Sequence, residues 1–209
     1  MEEADWLVAI DPQPMLAFIR GRVSNRKLRL FAAGCCRRGQ SRLRSQSALA
    51  ALEALEAYAE GRITREVMDE ARAAWHGRFD YPFPIRGTWN AALSYATLSS
   101  LPVRAVETAE NAALAARNPE RERVVQAGIL REVVGLPHQP ITIDPTWLTS
   151  NVVILVNGID QSRDFDRLPI LADAIQEAGC DSELLLAHLR QPRGHLLGCW
   201  ALDLILGKM

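Results

Sequence analysis

Apolar residues recur along most of this chain at intervals of three and four, the spacing that gathers side chains on one face of an α-helix. The C-terminal stretch from Asp164 to Gly207 is the densest. Leu168, Leu171, Ile175 and Ala178 mark one helix, and Gly179 follows as a left-handed helix end. Asp181 is placed to cap a second helix carrying Leu184, Leu185, Leu186 and Leu189. Pro192 and Gly194 interrupt the pattern. A last helix is predicted from His195 to Leu206, apolar on nearly every side and therefore buried.

The same punctuation runs through the rest of the chain. Trp6, Leu7 and Ile10 form the apolar side of a short turn. Asp11-Pro12 starts a helix that ends at Gly21, since the carboxylate caps free N–H groups and proline fits the first turn. Ser24 opens a helix to Gly39 with Leu28, Phe31, Ala32 and Cys35 inward. A helix over 45–60 buries Leu49, Leu52, Leu55 and Ala59. Thr64 starts another whose apolar face is Val67, Ala71, Ala74 and Trp75. Helices are predicted over 88–100 and from Pro102 toward Arg117, the latter with Ala105, Ala109, Ala112 and Ala113 on a narrow face. Asn118-Pro119-Glu120 begins one that ends at Gly135. An extended connector leads to Asp144-Pro145, and a helix from Thr146 onward carries Trp147, Leu148, Val152, Val153, Leu155 and Val156; the β-branched cluster over 152–156 leaves a short strand as the alternative. The result is an all-α fold, an irregular multi-helix bundle of about ten helices. It is read as one domain over 1–209, with the aromatic loop 77–87 as the candidate boundary between an N-terminal lobe (1–78) and a C-terminal lobe (88–209).

Composition fits this class. Apolar residues make up 48% and charged residues 23%, ordinary values for a globular protein. The net charge of −1 gives no global pull toward nucleic acid or a membrane surface. No apolar run approaches the ~20 residues that span a bilayer. The opening MEEADWLVAIDPQP is acidic and soon meets proline, unlike an export signal, so a cytoplasmic protein with reduced thiols is expected.

The phrases DPQPMLAFIRG, RKLRLFAAGCCRR, IDPTWLT, FDRLPILADAIQEAGC, LLAHLR and GCWALDLILGK cover about half of the chain. On these phrases it resembles a family of bacterial proteins, abundant as paralogues in planctomycetes, that has no established function. The resemblance implies relatedness and a shared helical fold; it implies no activity and carries over no catalytic residue.

Three constellations bear on chemistry. Between Asp11 and Glu53 no acidic residue occurs, while Arg20, Arg22, Arg26, Lys27, Arg29, Arg37, Arg38, Arg42 and Arg44 do. Such a surface binds phosphate without base specificity, or is a solvated face paired with Glu53, Glu56, Glu66 and Glu70. Cys180, His188, His195 and Cys199 form the second set, C-x7-H-x6-H-x3-C. Two imidazoles and two thiols suit zinc, and His195 and Cys199 share a face of the predicted last helix. The spacing is not a familiar zinc pattern, and the competing reading is small core cysteines with histidines bonded to helix ends. Third, Asp203 lies in the most apolar helix and needs a partner, with Arg190, Arg193, His195 or the Trp200 N–H within reach. The Cys35-Cys36 pair beside Arg37-Arg38 is read as thiols lowered in pKa by positive charge, or as core residues. Ser24 and Lys27 match S-x-x-K, without the companion motifs that would give the match meaning. No nucleophile elbow, phosphate-binding glycine loop or H-E-x-x-H is present.

With no complete catalytic set, the sequence is read as a non-enzymatic helical interaction or scaffold module, without a cofactor and with an unidentified protein partner. The docking surfaces it offers are the basic face, the aromatic loop Phe79–Phe83 and the alanine face of 104–117. Nucleic-acid binding through 20–44 is the alternative, and a metalloprotein or hydrolase built on Cys180, His188, His195 and Cys199 is the third reading.

Overall fold

The computed structural model describes residues 1–76, 86–98, 103–139, 141–192 and 194–208. Among them are twelve α-helices and no strand, an all-α fold. The chain forms two compact units, Met1–Leu130 and Arg131–Met209. Both sides of the loop 77–87 therefore lie in the first unit. Phe79, Tyr81 and Phe83, and the predicted helix start at Pro102, lie outside the described residues.

The first unit contains α1 (Glu3–Val8), α2 (Pro12–Ile19), α3 (Asn25–Arg38), α4 (Gln46–Ala59), α5 (Arg65–His76), α6 (Trp89–Ala96), α7 (Val103–Ala115) and most of α8 (Pro119–Val134). Local sequence explains the starts. Side-chain oxygens of Asp11, Ser24, Ser45, Thr88 and Asn118 accept backbone N–H groups in the first turn of α2, α3, α4, α6 and α8. α3 packs on α4, α6 and α7, and α7 packs closely on α6.

That packing corrects one expectation. Ala105, Ala109, Ala112 and Ala113 are fully buried. The alanine face lets helix backbones approach one another inside the unit and offers nothing to a partner. The faces of α1 and α5 also shift. Trp6 is buried, but Leu7, about 100° around the helix from it, is exposed, and so is Ile10, which lies beyond the end of α1. In α5 the inward residues are Met68 and Trp75, two turns apart; Val67 and Ala74 each precede them by one residue, about 100° around the helix, and face solvent.

The second unit begins in the last turn of α8 and continues with α9 (Ser150–Ser162), α10 (Leu168–Glu177), α11 (Glu183–Leu189) and α12 (Trp200–Leu206). Ile159 of α9, Leu168 and Ile175 of α10, Leu185 and Leu189 of α11, and Ile205 of α12 belong to one apolar cluster. Burying such a side chain stabilises the fold by about 1.5–3 kcal/mol. Three boundaries differ from the sequence reading. Asp144-Pro145 starts only a single 3-10 turn over Pro145–Trp147, and Thr149 caps α9, which is helical through 152–156. Ser182, not Asp181, caps α11, its hydroxyl accepting the N–H of Leu185. The last helix starts at Trp200 and not at His195, because Gly194 and Gly198 take φ of +102° and +90°. Residues 194–199 therefore form a tight loop. No helix among the described residues is long and apolar enough to cross a membrane.

Candidate metal centre

The loop before α12 brings four metal-binding side chains together. Glu132 comes from the last turn of α8, His188 from the last turn of α11, His195 from the loop, and Cys199 from the residue preceding α12. One donor atom from each lies within 4.8 Å of all the others. Oε1 of Glu132 is 3.1 Å from Nδ1 of His195, and Oε2 is 3.3 Å from Nε2 of His188. Sγ of Cys199 is 3.3 Å from Nε2 of His188 and 3.8 Å from Nδ1 of His195.

These separations, 3.1–3.8 Å, bracket those around a zinc ion. Zinc–nitrogen or zinc–oxygen bonds of about 2.0–2.1 Å and a zinc–sulfur bond of about 2.3 Å give tetrahedron edges of roughly 3.3–3.6 Å. The carboxylate, imidazole and thiol chemistry suits a borderline-soft divalent cation better than magnesium or calcium, which prefer oxygen alone. The same atoms also satisfy one another without a metal. Glu132 is then the acceptor, with His188 and His195 as donors. Burial pushes the Glu132 carboxyl up, but the hydrogen bonds from His188 and His195 outweigh it and hold it at about 2. Burial pushes His195 down, yet the hydrogen bond and charge of Glu132 leave it above its usual value. The Cys199 thiol is pushed well up, first by burial and then by the Glu132 charge.

The surroundings fix the two imidazoles. Nε2 of His195 lies 3.0 Å from the Gln191 carbonyl oxygen. Nδ1 of His188 accepts the indole N–H of Trp200 at 3.2 Å. Trp200 in turn lies against Gly135, where φ is +76° and an added Cβ would stand 2.8–3.1 Å from the Trp200 side chain. Gly135→Ala therefore meets two penalties. The left-handed conformation costs an L-residue about 1–2 kcal/mol, and the methyl group must displace Trp200. Urea unfolding is expected to show a loss of about 2 kcal/mol or more. The control is Gly207→Ala, with φ of +68° and nothing within 4 Å of an added Cβ, expected to lose only about 1 kcal/mol. Equal losses would show that the Trp200 contact is not tight.

Of the four residues chosen from the sequence, His188, His195 and Cys199 meet. Cys180 does not join them; it is buried in the apolar cluster of the second unit. Glu132 was missed. One signal pointed to it: a carboxylate in the last turn of α8, at the negative end of the helix dipole, is unfavourable there unless a cation or donors compensate.

The basic segment is largely engaged. Arg26 pairs with Glu60 at 2.6 Å, Arg37 makes a two-point contact with Glu56 at 2.7 and 2.9 Å, and Arg38 makes one with Glu122 at 3.3 and 3.2 Å. Glu56 was an expected partner; Glu60 and Glu122 were not. Arg22 lies over the Phe18 ring, Arg29 lies over Tyr58, and Lys27 is buried. Arg42 and Arg44 are exposed, and no ion pair holds either among the described residues. Cys35 and Cys36 are both buried, and burial pushes the Cys36 thiol up to about 12 against the opposing pull of Arg37, so the lowered-pKa reading falls.

Asp203 is buried in α12. Three of its expected partners turn elsewhere: Arg190 to Asp173 and Gln176, His195 to Glu132, and the Trp200 N–H to His188. The fourth, Arg193, lies outside the described residues.

No protein-family model, curated protein or solved structure matches this chain.

Proposed function

We propose that the Arg131–Met209 unit is a metal-binding helical module that takes a divalent cation of the zinc class at the cluster of Glu132, His188, His195 and Cys199. The observation that carries this reading is the convergence of these four side chains, from two helix ends and a glycine-framed loop, with one donor atom from each within 4.8 Å of all the others. The cation ties the end of α8 to the loop that leads into α12, so its binding energy becomes folding energy. Competition with a chromophoric zinc chelator tests this. The wild-type protein is expected to hold one zinc. Cys199→Ser and His195→Ala should weaken it at least about 100-fold, while Cys180→Ser should change it less than about threefold. A wild-type protein that takes no zinc, or a Cys180→Ser loss equal to that of Cys199→Ser, sinks the reading.

A second reading attaches to the first unit. Arg42 and Arg44 are exposed and without an ion pair among the described residues, which leaves them available to phosphate. Labelled single-stranded DNA or RNA should then bind in a salt-sensitive way, with the affinity and its salt slope reduced by Arg42→Glu and Arg44→Glu. Binding unchanged by these substitutions removes this reading.

A further inference from the structure

Resting on the metal-binding reading, we infer that the cation is held by three side chains, Glu132, His195 through Nδ1 and Cys199, while His188 stays outside the coordination shell and leaves a fourth position open to water or a small monodentate anion.

The inference comes from where each imidazole carries its hydrogen. The Gln191 carbonyl 3.0 Å from Nε2 of His195 can only accept, so Nε2 carries the hydrogen and Nδ1 is the atom with a lone pair to give. That atom is the one facing Glu132 and Cys199. His188 is arranged in the opposite sense. The indole N–H of Trp200 can only donate, so Nδ1 of His188 presents its lone pair to Trp200, and Nε2 carries the hydrogen.

An N–H cannot ligate a cation. It can donate to the atoms that do, and the Nε2 of His188 stands 3.3 Å from both Glu132 Oε2 and Cys199 Sγ. Hydrogen bonds of this kind orient ligands and tune the charge on a metal-bound thiolate. Zinc held by three protein ligands is the open type of site, which keeps a position for a solvent-derived ligand. The side chains of His188 and Glu132 retain 11% and 8% exposure, so a ligand at the open position is a small one.

The test uses the full chain loaded with cobalt(II), whose visible spectrum reports coordination and whose near-ultraviolet thiolate band reports Cys199. Added azide should shift the visible bands of the wild-type protein while the thiolate band remains. His188→Ala, saturated with cobalt, should keep the thiolate band and still respond to azide, with cobalt affinity lowered by about 10–100-fold, the usual cost of losing an outer partner. Trp200→Phe keeps an aromatic ring but removes the N–H, freeing His188 to move its hydrogen to Nδ1 and ligate through Nε2. Its azide response should shrink, and circular dichroism checks that it is folded. The reverse pattern, a wild-type spectrum silent to azide and a response that appears only in His188→Ala, makes His188 a fourth ligand and overturns the inference. Failure to bind cobalt at all instead overturns the metal-binding reading beneath it.

Discussion

Glu132→Ala is expected to lower the unfolding free energy of the Arg131–Met209 unit by about 3–5 kcal/mol, the range for removing one member of a buried charged pair. The carboxylate is 7% exposed and meets His188 through one oxygen and His195 through the other. Without it, Nδ1 of His195 and the N–H of His188 lose their shared acceptor in a site that water barely reaches. The three remaining side chains stay packed between α8, α11 and α12, so the loss is not relieved by turning outward. Urea denaturation followed by circular dichroism measures it. Glu177→Ala, at an exposed position in α10, is the control and should fall within about 0.5 kcal/mol of the wild type. A loss below about 1 kcal/mol for Glu132→Ala would mean that the four side chains do not act as a unit.

The second large effect is an opposite pH dependence of the metal-free and zinc-loaded protein. In the metal-free protein, Glu132 is held at about 2 against an ordinary value of 4.5. A lowered carboxyl contributes stability that is present above 4.5 and is lost as pH falls toward 2. His195 is raised above its ordinary 6.5. A raised imidazole contributes stability that is fully present below 6.5 and is lost as pH rises through the folded value. The contribution of this pair in the metal-free protein is therefore greatest between 4.5 and 6.5. Zinc reverses the upper limb. It needs the Nδ1 lone pair of His195 and the thiolate of Cys199, whose thiol is pushed well up, so binding releases protons and tightens as pH rises. Zinc at 100 times its dissociation constant adds about 2.7 kcal/mol, a rise in Tm of roughly 5–11 °C for a chain of this size. Thermal unfolding at roughly pH 5.5 and pH 8, with and without zinc, should show the increment growing with pH. An increment that shrinks with pH would contradict this arrangement.

The sequence carried the helices well and the site less well, for identifiable reasons. Asp11, Ser24, Ser45 and Thr88 mark helix starts because a cap acts within one turn and needs no tertiary contact. His195 and Cys199 were paired through a helix that does not exist. They meet at 3.8 Å because Gly194 and Gly198 turn the chain, a conformation that an apolar pattern does not encode. Glu132 stands 56 positions before His188 in the sequence, and only packing brings the two together. Cys180 looked equivalent to Cys199, yet it faces the apolar cluster. The arginines of 20–44 read as one patch in the sequence, while Glu60 and Glu122, distant along the chain, neutralise Arg26 and Arg38 in the fold.

The most direct measurement is X-ray absorption at the zinc edge of the zinc-loaded full chain. One sulfur at about 2.3 Å with two or three nitrogen or oxygen neighbours at about 2.0–2.1 Å is the predicted shell. Cys199→Ser should lose the sulfur, and Cys180→Ser should keep it. A shell without sulfur, or one whose sulfur survives Cys199→Ser, would contradict a metal centre at Glu132, His195 and Cys199.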